Sequence, residues 1–163
     1  MRNLISIIAV FGIVALSAPT RSFAEGNIEL TTTAEQVVTT TDDRGKEVTT
    51  IVPAGKVVPG NVILYTITAK NISDQSVNGV VINDPIPEHM VYLIGSVAGS
   101  GTDITFSIDG GTNFDKQDEL EVSDGKGGTR VPEASDYTHI RWTLTENFEP
   151  QATKKVSFQA RLE

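Results

Sequence analysis

"NVILYTITAKN", residues 61–71, decides how the whole chain is read. Its large apolar residues recur at every second position. Ile63, Tyr65, Ile67 and Ala69 share one face, and Thr66, Thr68 and Lys70 point the other way. Period two is the mark of a half-buried strand, because successive side chains of an extended backbone leave opposite sides.

The same period runs outward through the chain. "VVINDP" (80–85) sets Val80 and Ile82 on one face, and "TDITFSI" (102–108) aligns Ile104, Phe106 and Ile108. "THIRWTL" (138–144) turns Ile140, Trp142 and Leu144 inward and His139, Arg141 and Thr143 outward. "KKVSFQARL" (154–162) repeats the pattern with Val156, Phe158, Ala160 and Leu162, while "HMVYLI" (89–94) is short and uniformly apolar. Turn clusters separate these runs, and no segment sustains a helical i, i+3, i+4, i+7 stripe. The expected fold is all-β, an antiparallel β-sandwich of about seven to nine strands whose two sheets cover each other's apolar faces. Ahead of it, "NIELTTTAEQVVTTTDDRGKEVTTIVP" (27–53) predicts an extra N-terminal β-hairpin, with Gly45 available for positive φ in its turn. Its thin apolar content specifies register only weakly.

The first residues read as an export signal. Arg2 precedes an apolar run, Leu4–Ala18, and Ser22 and Ala24 are small where signal peptidase reads. The expected division is a leader over 1–24 cut after Ala24, a strand or hairpin extension over 25–55, packed on or exchanged with the sandwich, and the sandwich over 56–163. The run is short for a bilayer span, so no membrane span is expected after cleavage. The chain has no cysteine, which excludes a lipobox anchor and leaves a disulfide-free domain in an oxidising compartment. Localisation is expected to be secreted or cell-surface, in a prokaryote. Loss of Arg2 and Arg21 with the leader takes the formal charge from −8 to about −10. Such a surface repels nucleic acid and anionic lipid, and leaves cations, sugars or proteins as partners.

Acidic residues crowd "TFSIDGGTNFDKQDEL" (105–120). Asp109, Asp115 and Asp118 are the weak metal candidates, with calcium the ion, but with Glu119 they miss the spacing of an EF-hand loop. The favoured reading is a hairpin that turns at "DGG" and returns along an acidic, edge-protecting segment. A glycosidase pair needs one carboxyl of raised pKa in a cleft, and every carboxylate reads as a turn or polar-face residue. His89 sits in a strand-entry turn and His139 faces outward, and neither builds a zinc site or triad. Asp84 of "DPIPE" reads as the cap of a crossover turn, Asn71 of "NIS" as a polar turn, and Trp142 as core. No catalytic or cofactor-binding residue is assigned.

"VVPGNVILYTITAKN", "VVINDPIPEHMVYLIGSVAG", "DGGTNF", "YTHIRWTL" and "VSFQARL" follow one another in order. The series resembles the bacterial and archaeal conserved repeat domain of surface proteins, catalogued as domain of unknown function eleven. The matching residues are Pro59-Gly60, Tyr65, Asn71, Asp84-Pro85-Ile86-Pro87, Gly95-Ser96, Trp142 and Phe158, spread over Lys56–Glu163. The resemblance implies an immunoglobulin-like sandwich of envelope proteins, usually without catalysis. Members often string many copies into stalks. This chain shows one copy, no C-terminal sorting signal and an additional N-terminal hairpin.

The expectation is therefore a non-catalytic secreted or envelope structural protein, partnered by other copies of itself or another envelope protein. Its N-terminal strand, with Ile28, Leu30, Thr32, Ala34 and Val38 on one face, would either add to a neighbour's sheet and build a filament or pair within its own chain. The alternative is an adhesin-like binding module for a polysaccharide or protein, using the Gly-rich loops "AGSGTD" (98–103) and "SDGKGGTRVPEASD" (123–136), expected to be mobile.

Overall fold

A computed structural model describes residues 5–8, 20–24 and 27–163, with side chains from residue 27 onward. The expected leader run, Leu4–Ala18, lies outside the described residues except for the backbone of one short strand. The chain forms β1 (Ile5–Ile8), β2 (Thr20–Ala24), β3 (Ile28–Thr41), β4 (Glu47–Pro53), β5 (Val62–Asn71) and β6 (Val80–Pro85). There follow β7 (Met90–Tyr92), β8 (Thr102–Ser107), β9 (Val122–Ser123), β10 (Thr129–Arg130), β11 (His139–Leu144) and β12 (Thr153–Leu162). A single 3-10 turn, Ala134–Asp136, is the helical element among the described residues.

Two sheets carry the fold. One has the order β1-β6-β11-β8, and the other β2-β3-β5-β12-β7 with β4 paired to β3. All described pairings are antiparallel except β1 on β6. The period-two residues of both sheets meet in one apolar cluster. Ile63, Ile67 and Ala69 of β5, Val80 and Ile82 of β6, Ile140 and Trp142 of β11, and Val156, Phe158 and Ala160 of β12 are all buried in it. Phe158 stacks on Tyr65 with ring centroids 5.1 Å apart and lies 6.3 Å from the ring of Trp142, so one aromatic chain crosses between the sheets. Trp142 is a core residue, and its indole Nε1 donates to the Ala98 carbonyl at 3.1 Å.

Two expectations needed revision. The 105–120 stretch turns where expected, but its return is one bridge, Phe106 to Asp115, and not a strand. On its other side β8 pairs with β11 along its whole length. Edge protection survives in another form, because Lys116 forms an ion pair with Asp103 and donates to the Ile104 carbonyl. The N-terminal hairpin is also better specified than its composition implies. β3 registers on β5 from Ile28↔Asn71 to Val37↔Val62 because Ile28 and Leu30, each 2 % exposed, reach the common core.

Candidate interaction strand and polar clusters

The expected self-association strand is the outer part of the six-stranded sheet. Ile28, Leu30 and Thr32 are buried, and Ala34 and Val38 are half-buried on the same face. All five belong to β3, and the first four pair within the chain against β5. Beyond Val37, β3 leaves β5 and is paired by β4 alone. The two strands form an exposed arm closed by the turn at Asp42–Lys46. There the Asp42 carboxylate accepts the amides of Arg44 and Lys46, and Gly45 takes φ 77°. Val48 and Ile51 of β4 are exposed large apolar residues on this arm.

Asp109 is consumed by its own turn. Its Oδ1 accepts the Ser107 hydroxyl at 2.7 Å and the amides of Thr112 and Asn113, and its Oδ2 accepts the Asn113 side-chain amide at 2.7 Å. These bonds, the Asn113 amide foremost, hold its pKa down at about 2. Asp115 and Asp118 do not converge on it. Among the described residues no three acidic or histidine side chains approach closely enough to share a metal ion.

Asp84 departs from its expected role. It is not a turn cap but the last inward residue of β6, opposite Ile140 and 2 % exposed, with Oδ1 lacking any hydrogen-bond partner. Burial raises its pKa to about 7, and its charge in turn helps raise Tyr65 to about 12, behind burial itself. The alternation Val80, Ile82, Asp84 carried this signal, but "DP" read as a turn masked it. A shallow apolar depression lined by Ile94, Gln117, Val131 and Tyr137 lies elsewhere and does not include Asp84.

A second cluster was missed by residue-by-residue reading. The Arg141 guanidinium lies 3.5 Å from the ring centroid of Phe114, and its Nε donates to Asn83 Oδ1 at 2.7 Å. The His139 ring packs edge-on to Phe114, and burial lowers its pKa against an opposing pull from Asp109. The outward positions 139 and 141 are two apart on β11, while Phe114 comes from the distant "TNF", so only folding joins them. His89, by contrast, is exposed with φ 64°, its Nε2 3.7 Å from Glu88.

Asn71 is fully buried, with its side-chain amide donating to the carbonyls of Gln75 and Phe148. The Gly-rich loops expected to be mobile are tied down. Ala98 exchanges both backbone bonds with Ser157, Lys154 donates to Ser100, and Arg130 grips Asp136 through two bonds of 2.6 and 3.0 Å. No helix among the described residues is long and apolar enough to cross a membrane.

No family model, curated protein or solved structure matches this chain. The surface-protein resemblance therefore rests on the motifs alone.

Proposed function

We propose that this chain is a non-catalytic structural protein of the cell envelope or extracellular space, and that it associates with copies of itself through its N-terminal strand. In this reading its sheets form the immunoglobulin-like sandwich that the surface-protein resemblance implies. A leader is removed after Ala24, and β3 then begins three residues from the new terminus. The observation that carries the reading is the seating of β3. Ile28, Leu30 and Thr32 are buried side chains of a strand that becomes a sheet edge once β2 leaves with the leader, and its loss would uncover the apolar edge of β5. A strand seated by ladder hydrogen bonds and a few inward side chains can be replaced by the same strand of a neighbour, with the in-chain pairing as the closed form. Residues 54–61, which carry Gly55, Pro59 and Gly60, supply the linker that such an exchange needs.

The test is a reversible lock. Thr31 and Thr68 are paired on the outer side of β3 and β5, and a paired rung spaces Cα atoms by about 5.5 Å, within disulfide reach. The oxidised T31C/T68C protein should form no end-to-end assemblies, and reduction should restore those visible by electron microscopy. Equal assembly in both states would exclude strand exchange, and discrete monomers in native surface material would exclude self-association.

The Arg141–Phe114 cluster favours a second reading, an extracellular binding module. A guanidinium fixed through Nε on an aromatic ring presents its remaining donors to a carboxylated polysaccharide or acidic peptide. Binding to an acidic glycan array that is unchanged in R141Q would remove this reading.

A further inference from the structure

We infer that β4 pairs its open edge with β4 of a second copy, the two strands running antiparallel about a two-fold axis at Thr50. The contact goes beyond strand exchange, because exchange links copies end to end while this edge joins them side by side.

The arm supplies the first argument. From Val38 to Thr50 it is a two-stranded ribbon with solvent on both faces, and such ribbons are marginal in water until a third strand or a packed face is added. The edge supplies the second. The Asp42 amide donates to the Lys46 carbonyl, which places hydrogen-bonded rungs at 40/48, 38/50 and 36/52. The amides of Glu47, Thr49 and Ile51 therefore aim away from β3, and Pro53 has none to aim. The Thr39 and Thr49 hydroxyls, 3.4 Å apart, fit the closer spacing of a non-hydrogen-bonded pair.

Composition supplies the third argument and selects the occupant. "VTTIV" (48–52) is β-branched throughout and carries no charge, so it has none of the usual guards against edge pairing. Of the edges that do not border the expected leader, the other two differ. β8 is shielded by the Asp115 bridge and by Lys116 on Asp103, and β7 is three residues long. With Thr50 on the axis, Val48 meets Val52, Thr49 meets Ile51, and Glu47 meets only Pro53 of the second copy. No like charges oppose each other. A register centred on Thr49 would set Glu47 against Ile51 instead, and is the poorer match.

The absence of cysteine makes the experiment clean. A non-hydrogen-bonded pair on the axis puts the two Thr50 Cα atoms about 4.5 Å apart, within disulfide range. Full-chain T50C should oxidise to a linked dimer at least ~tenfold faster than E146C, an exposed turn position, because pairing raises the effective thiol concentration. Adding T49P to T50C should return the rate to that of E146C. Thr49 is exposed and its amide serves no rung among the described residues, so Trp142 fluorescence and circular dichroism should be unchanged. Equal rates for T50C and E146C, or a rate indifferent to T49P in a folded chain, would overturn the proposal. Faster linkage through T49C than T50C would overturn the Thr50 register. A dimer of the oxidised T31C/T68C chain that T49P abolishes supports edge pairing even where end-to-end assembly fails. End-to-end assembly that T49P leaves intact, with no T50C dimer, rejects edge pairing alone.

Discussion

Asp84 is where a single residue governs the chemistry of the whole fold. Its carboxyl is buried with an orphaned oxygen and a pKa of about 7, so the folded protein holds a proton that the unfolded chain releases near pH 4. Between those values the folded state binds more protons, and stability must fall as pH rises. The separation of about three pH units corresponds to roughly 4 kcal/mol at most. Asp84→Asn should flatten the pH 4–7 slope in urea titrations and raise stability at pH 8, and an unchanged slope would assign the effect elsewhere. His139 works in the opposite sense. Its lowered pKa makes the unfolded chain bind more protons as pH falls through the ordinary histidine value, which removes stability on the acid side. Gly99 shows a steric constraint of the same local kind. A Cβ there would stand 2.7 Å from the Trp142 ring and 2.8 Å from the Thr102 hydroxyl. Gly99→Ala should cost about 1–3 kcal/mol through forced repacking of the indole, read as a lower denaturant midpoint.

Among the elements, β3 divides into two halves with different tasks. The first half is a core strand anchored by Ile28 and Leu30, and the second is an arm paired with β4 alone and exposed on its faces. Hydrogen exchange should separate them. In dilute monomer, amides at 38–50 should exchange orders of magnitude faster than those of β5 and β12, which are packed against the core. Pairing through β4 at higher concentration should slow Glu47, Thr49 and Ile51. Uniform protection along β3 would mean that the arm is covered in solution. β12 is the opposite kind of element, paired with β5 over nine residues and with β7 at its end. Phe158 at its centre is 0 % exposed between Tyr65 and Trp142. Phe158→Ala should cost about 3–5 kcal/mol, a large share of the roughly 5–15 kcal/mol that holds a domain together.

At the scale of the molecule, one apolar cluster joins both sheets, so neither sheet has a core of its own to retain when the other unfolds. Unfolding should be a single transition. Fluorescence of the only tryptophan, Trp142 in the four-stranded sheet, should track far-ultraviolet circular dichroism of both sheets in the same denaturant series. Separate midpoints would show that the sheets are independent.

Alternation by itself determined the strands of this protein, because period two is a local property. Ile63 to Ala69, Ile140 to Leu144 and Val156 to Ala160 could be assigned to one face each without knowing what they face. It also placed Trp142 inside and His139 and Arg141 outside. What needed the tertiary structure was everything set by pairing between distant segments. The "DP" pair looked like a turn, but β11 pairs with Asn83 and Asp84 and holds the aspartate in the core. Phe114 reached Arg141 only through the turn that Asp109 organises. The return after "DGG" lies along the outer edge of β8, opposite β11, and pairs there at the Phe106–Asp115 bridge. Most of all, the strand partners decided which edges stay open. Sequence could show that "EVTTIVP" wants to be a strand, but only the ladder could show that one side of it is left without a partner among the described residues.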